Sequence, residues 1–196
     1  MTAHFLGPAP ESPAARRLCD ADVAEVGYVM NNTTLWAHAP EVYAALSGQL
    51  AAIAQAYGLT VRERGILVAA SASTIRDSYC ALAWGGKLAE EAGEALAAGV
   101  LRGTDEGLTE AERALAAWAR AVARDANATT AADVRALREA GFPAEKILAI
   151  TAYVALRVAY ATVNDALGAR PDQEYRQTAP EPVLKAVTFG RPIADA

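Results

Sequence analysis

An all-α multi-helix bundle follows from three features of this 196-residue chain. Apolar residues make up 53% of it but aromatic residues only 7%, an alanine-dominated balance that favours closely packed helices over a sandwich of β-branched and aromatic strands. The stretches "GLTVRER" (58–64) and "GLTEAER" (107–113) are one helix-start signal used twice. No segment alternates convincingly between apolar and polar with the period of two that a half-buried strand needs. The length fits one domain spanning residues 1–196.

Each element has its own justification. Residues 1 to about 20 are rich in proline and read as an irregular arm. "PEVYAALSGQLAAIAQAYG" (40–58) opens with proline, repeats Val42, Leu46, Leu50, Ile53 and Tyr57 at helical spacing, and closes with glycine. In both GLTxxER stretches, threonine followed three residues later by glutamate is a capping box, so helices start near Val61 and Glu110. That gives Glu63 and Glu112 structural work, with Leu59 and Leu108 placed to staple the first turns. "GILVAASAST" is almost wholly apolar and predicts a buried helix. A break at 76–78 follows, with Asp77 or Ser78 as N-cap, then a helix from Cys80 towards Gly93. Next come a short helix in "EALAAGVLRG", the helix of the second capping box, and a threonine-capped helix in 129–141. The longest helix lies in 142–168, with Pro143 in its first turn. The tail from 169 onward is again proline-rich and reads as an extended arm.

The net charge of -5, without a basic run or an acidic tail, argues against nucleic acid as a partner. No apolar stretch reaches the roughly 18 uninterrupted residues of a membrane span, and the first residues lack the pattern of a secretory signal; a cytoplasmic location is the expectation. Cys19 and Cys80 form no disulfide framework. His4 and His38, the only histidines, have no partner at ligand spacing and read as surface or loop residues. No metal and no cofactor is expected.

The chemistry concentrates in "RDSYCALAWGGKLA" (76–89). Cys80 near a helix start gains thiolate character from backbone amides and dipole, worth about 0.3–1 kcal/mol at an exposed site. Asp77 opposes this with a like charge, and Trp84, one turn on, supplies an apolar wall in place of a base. The balance is against a thiolate unless Arg76 lays its guanidinium over the sulfur. Asp77, Ser78, Tyr79 and Cys80 could provide the polar groups of a small pocket walled by Trp84, with Gly85 and Gly86 allowing close approach; Trp84 reads first as core, with the pocket wall as its alternative. Tyr153, Arg157, Tyr160 and Asn164 share one helical face and read as a seam between subunits, with a ligand site as the alternative.

The order of these parts resembles the alkyl hydroperoxidase D-like, or carboxymuconolactone decarboxylase, family, in its peroxidase-related branch. "EVGYVMNNTTLWAHAPEVYAAL", "LTVRERGILVAASAST", "DSYCALAWGGKLAEEAG" and the stretch from "LTEAERALAAWARAVARD" to "NDALGARPD" carry the likeness over about residues 25–172, leaving arms at 1–24 and 173–196. Redox members of that family carry C-x-x-C-x-x-x-H with a glutamate twelve residues before the first cysteine. Laid onto this chain, the second cysteine is Cys80, while Asp77, Trp84 and Gly65 stand where the first cysteine, the histidine and the glutamate would be. The motif is degenerate, and a disulfide cycle between two thiols at this site cannot run.

The resemblance implies a thiol-dependent hydroperoxide reductase in which Cys80 acts as a single thiol, with peroxide as substrate and an external thiol as reductant. It also implies a homo-oligomer, a trimer or hexamer, or else a dimer. Two alternatives stand beside it. One is a non-redox small-molecule site with Asp77 as acid or base and Ser78, Tyr79 and Trp84 around the ligand. The other is a structural homo-oligomer that has lost the redox site.

Overall fold

The computed structural model describes residues 3–195. Among them the chain forms eleven α-helices, one 3₁₀ turn and no strand. The order is α1 (Pro13–Val26), α2 (Asn31–Trp36), α3 (Pro40–Ala56), α4 (Val61–Ile75), α5 (Ser78–Ala92), α6 (Glu94–Arg102), α7 (Glu110–Asp125), α8 (Ala131–Glu139), α9 (Ala144–Ala166), α10 (Tyr175–Thr178) and α11 (Glu181–Ala186).

The apolar helix α4 is the axis of the core. It packs against α5, α6, α7 and α9, and every residue from Gly65 to Ala72 is buried. Complete burial of Ile66, Leu67 and Val68 contributes about 1.5–3 kcal/mol for each side chain. Gly65 lets α5 close in: a Cβ there would lie 3.1 Å from Leu88 Cβ. Both capping boxes are formed, Thr60 with Glu63 and Thr109 with Glu112. Each glutamate also pairs across to another helix, Glu63 with Lys146 at 2.8 Å and Glu112 with Arg62 at 2.5 Å. Leu59 and Leu108 are buried at the two helix starts.

Three expectations need correction. The first arm contains a full helix, α1: Ser12 Oγ accepts from Ala15 N at 3.0 Å, Pro13 fills the first turn, and Gly27 closes it at φ 87°. The density of prolines around that Ser-Pro start hid an ordinary cap. The tail is not an extended arm either. Tyr175–Thr178 and Glu181–Ala186 are helical, and α11 seats Val183 on α5, where a Cβ on Gly85 would meet Val183 Cγ1 at 2.9 Å. His4, expected at the surface, is 5% exposed; its Nδ1 accepts from Leu6 N at 3.3 Å, and its ring stands edge-on to His38 at 5.9 Å.

Residues after α11 double back onto the start of α5. Ser78 Oγ donates to Arg191 O at 2.7 Å, and a Cβ on Gly190 would lie 2.6 Å from Arg76 O. Helix α9, at 23 residues, is long and apolar enough to cross a membrane by length and composition. It packs on α3, α4, α7 and α8, and its inner face is part of the core.

Candidate functional site

Helix α4 ends at Arg76 in a left-handed conformation, φ 64°, which turns the chain sharply into α5. Asp77 is then the N-cap, its Oδ1 accepting from Cys80 N at 3.1 Å. The Asp77 carboxyl is completely enclosed, and its Oδ2 has no hydrogen-bond partner. This cap holds the thiol of Cys80 beside a buried carboxyl.

Cys80, 3% exposed, lies in the wall of a cavity of about 460 Å³. Tyr79, Trp84, Arg157, Tyr160, Tyr43 and Asn32 are among its other walls. Asn32 of α2 and Arg157 of α9 reach the first turn of α5 through hydrogen bonds with Tyr79 and Cys80, and Tyr43 of α3 lines the same cavity. Gly86 faces this cavity with open space where a Cβ would stand.

The cation at the sulfur is Arg157, not Arg76. Arg157 Nη2 donates to Cys80 Sγ at 3.4 Å. Its guanidinium lies between two rings, 5.2 Å from the Trp84 centroid and 5.1 Å from that of Tyr160, the arrangement of a cation held by π faces. Arg157 Nε is enclosed without a partner, and among the described residues Arg157 forms no ion pair with a carboxylate. Arg76 instead lies over the Phe189 ring at 5.9 Å.

Burial pushes the Cys80 thiol well above its ordinary value, and the Asp77 charge adds to this, while Arg157 opposes both. Burial also raises the Asp77 carboxyl, against the pull of Cys80 and Arg157. With Asp77 ionised, a thiolate would be a second anion beside it. With the proton moved from sulfur to Asp77, the like charge disappears and Arg157 faces a thiolate alone. Both arrangements have the same net charge, so no ion need enter or leave for one to become the other. Asp77 and Cys80 thus share one buried environment in which Arg157 is the cation that favours the charged form of either.

The expected site residues divide. Cys80, Tyr79 and Trp84 share the cavity wall, and Asp77 stands behind the sulfur. Ser78 does not belong with them: on the opposite side of the helix it binds the returning tail through Arg191 O and lines a separate cavity of about 380 Å³. Successive residues of a helix turn by about 100°, which puts Ser78 and Cys80 on different faces. The stripe Tyr153, Arg157, Tyr160 and Asn164 is also corrected. Tyr153, Tyr160 and Asn164 are buried and Arg157 is partly so, so that face points inward to Cys80 rather than to another subunit. Asn32 and Tyr43 were missed, because nothing local marks a distant asparagine or tyrosine as a neighbour of Cys80. Cys19, on α1, is free and is not among the cavity residues. No cluster of three or more His, Cys, Asp or Glu side chains able to hold a metal occurs among the described residues.

The all-α bundle built around α4 and α5 is similar in fold to the alkylhydroperoxidase AhpD core. No protein-family model and no curated protein matches the sequence, but solved structures match the fold over most of their length. One is an AhpD-core, uncharacterized peroxidase-related protein from Ralstonia eutropha JMP134, with a TM-score of 0.76 and 26% identity over 89% of this chain and 95% of that one. An uncharacterized peroxidase-related protein from Silicibacter sp. TM1040 has a TM-score of 0.77 at 19% identity, covering 91% and 96%. The debrominase Bmp8, in a cysteine-to-alanine form bound to 2,3,4-tribromopyrrole, has a TM-score of 0.72 at 17% identity, covering 93% and 97%. The all-α AhpD-like fold expected from the sequence is the fold observed.

Proposed function

We propose that the protein is a single-thiol hydroperoxide reductase, with Cys80 as nucleophile, Asp77 as the group that takes and returns its proton, and Arg157 as the charge that stabilises the thiolate. The observation that carries this reading is Arg157 Nη2 on Cys80 Sγ at 3.4 Å, with the Asp77 carboxyl capping Cys80 N through Oδ1 and leaving Oδ2 without a partner. Asp77 stands where the resembling family has its first cysteine, and here it replaces the missing base rather than the missing thiol.

The cycle balances without a second cysteine. The Cys80 proton passes to Asp77, the thiolate attacks the outer oxygen of an organic hydroperoxide, an S–O bond forms and the O–O bond breaks. The leaving alkoxide takes the proton from Asp77, giving an alcohol and the sulfenic acid of Cys80. An external thiol condenses with the sulfenic acid, releasing water and leaving a mixed disulfide. A second external thiol frees Cys80 as its thiol and departs with the first as a disulfide.

Intact-mass measurement after one equivalent of cumene hydroperoxide should show the gain of one oxygen on wild-type protein and none on Cys80→Ser, with dithiothreitol restoring the starting mass. Equal peroxide consumption by both proteins would refute the reading.

A second reading is supported by the aromatic walls and by the bromopyrrole bound in the debrominase of the same fold. The same thiolate would attack a ring halogen, Asp77 would protonate the ring carbon left behind, and external thiol would reduce the sulfenyl halide. Bromide release from 2,3,4-tribromopyrrole, lost in Cys80→Ser, is its test.

We also propose a homo-oligomer. Val42, Leu148, Ala155 and Ala159 are exposed on the outer faces of α3 and α9, an apolar surface that a second copy could cover.

A further inference from the structure

A chain of buried polar groups runs from Asp172 to the cavity. The Asp172 carboxyl and the Tyr79 hydroxyl form a short hydrogen bond. Tyr79 Oη donates to Asn32 Oδ1 at 2.9 Å, and Asn32 Nδ2 donates to Tyr160 Oη at 2.5 Å. Asp172, Tyr79, Asn32 and Tyr160 are 1%, 3%, 6% and 7% exposed, so every proton in this chain must be used. Tyr79 Oη is the donor to both Asp172 Oδ2 and Asn32 Oδ1, and it accepts from Asn32 N at 3.3 Å. Asp172 Oδ1 meanwhile accepts from Asn31 N at 2.6 Å. At the far end, Tyr160 Oη is already an acceptor from Asn32, and its own proton has no acceptor among the described residues. Tyr160 lines the cavity, its ring on the Arg157 guanidinium and stacked on Trp36 at 5.3 Å.

We infer that Tyr160 is a catalytic hydrogen-bond donor whose hydroxyl is aimed into the cavity by the Asp172–Tyr79–Asn32 chain, to hold the substrate oxygen on which negative charge develops. This rests on the reading of Cys80 as the attacking thiol, and it adds the group that receives the leaving oxygen. A fixed donor aimed at developing charge is a strong source of transition-state stabilisation. Tyr160 keeps its proton throughout, since the transferred proton comes from Asp77. Burial raises the Tyr160 hydroxyl above its ordinary value, which keeps its proton in place, and burial raises the Asp172 carboxyl against the pull of its hydrogen bonds from Tyr79 and Asn31.

The donor can be read without turnover. Methyl phenyl sulfoxide offers a strongly accepting oxygen, and methyl phenyl sulfide has the same ring without it. By calorimetry the wild-type protein should bind the sulfoxide roughly five- to tenfold more tightly than the sulfide. Tyr160→Phe, which keeps the stack on Trp36, should bind the two equally, with sulfide affinity unchanged. Asp172→Asn, whose amide oxygen can still accept from Tyr79, should keep the preference. A preference retained in Tyr160→Phe overturns the inference, as does its absence from wild type. A preference that appears only in Asp172→Asn would mean that the chain runs the other way, and would also overturn it. In turnover, Tyr160→Phe should depend more steeply than wild type on the acidity of the departing alcohol across a series of organic hydroperoxides. Failure of the Cys80→Ser comparison would remove the peroxide reading and leave the binding result to stand or fall by itself.

Discussion

Replacing Glu112 by glutamine tests whether a capping-box glutamate also locks two helices together. The Arg62 side chain holds the Glu112 carboxyl down, from 4.5 to about 2, chiefly through their hydrogen bond. Taken whole, such a lowering corresponds to about 3 kcal/mol of stability at neutral pH. Arg62 is one-third exposed, and solvent screening reduces this to about 1–2 kcal/mol. Glutamine can still accept from Thr109 N, so the cap survives and only the charge is removed. Because the folded value lies below the unfolded one, the contribution is fully present above pH 4.5 and fades as the pH falls towards 2. Urea unfolding followed by circular dichroism should therefore separate wild type from Glu112→Gln by about 1–2 kcal/mol at pH 7, and the gap should close as the pH approaches 2. Arg62→Met should follow the same course. A gap that does not change with pH, or no gap at pH 7, would refute the reasoning.

Other perturbations act nearer the cavity. Arg157→Met removes the cation at Cys80 Sγ, so alkylation of Cys80 by iodoacetamide should slow across pH 7–10, and an unchanged rate would show that the guanidinium does not support the thiolate. Asp77→Asn keeps a cap but can neither take the Cys80 proton nor return it to the alkoxide, so peroxide turnover should fall; unchanged turnover would argue against Asp77 as proton carrier. Burial, with help from Asp77, raises the Asp165 carboxyl from 3.8 to about 6. The folded state thus holds that proton more tightly, stability declines as pH rises from 3.8 through 6, and Asp165→Asn should add about 1–2 kcal/mol at pH 8 and nothing below pH 3.8, measured by urea unfolding. Sedimentation should show an oligomer that Ala155→Arg dissociates; a wild-type monomer at micromolar concentration would remove that proposal.

What could be read from the sequence depended on the distance over which each signal acts. The caps at Thr60, Thr109 and Asp77 and the buried run of α4 are local, set by residues within one turn of each other, and they appear as expected. The α1 cap at Ser12 was equally local but was masked by neighbouring prolines. The environment of Cys80 is not local. Arg157 lies 77 residues away in sequence, and the periodicity of α9 identifies its face without saying whether that face meets solvent, another subunit or a sulfur atom. A bias towards sequence neighbours pointed to Arg76, whose left-handed conformation turns its side chain to Phe189 instead. Ser78 was misplaced for the related reason that adjacency along a helix is separation around it.

The pairing of Arg157 with Trp84 has a spectroscopic consequence. Three cationic side chains, Arg64, Lys87 and Arg157, lie within 5.2–5.8 Å of that indole centroid, while Trp36 is stacked on Tyr160 and Trp118 is anchored elsewhere, on Thr151. Any occupant that shifts the guanidinium changes the electric field across one fluorophore and leaves Trp118 as an internal reference. The protein thus carries its own label-free emission sensor for whatever enters beside the sulfur.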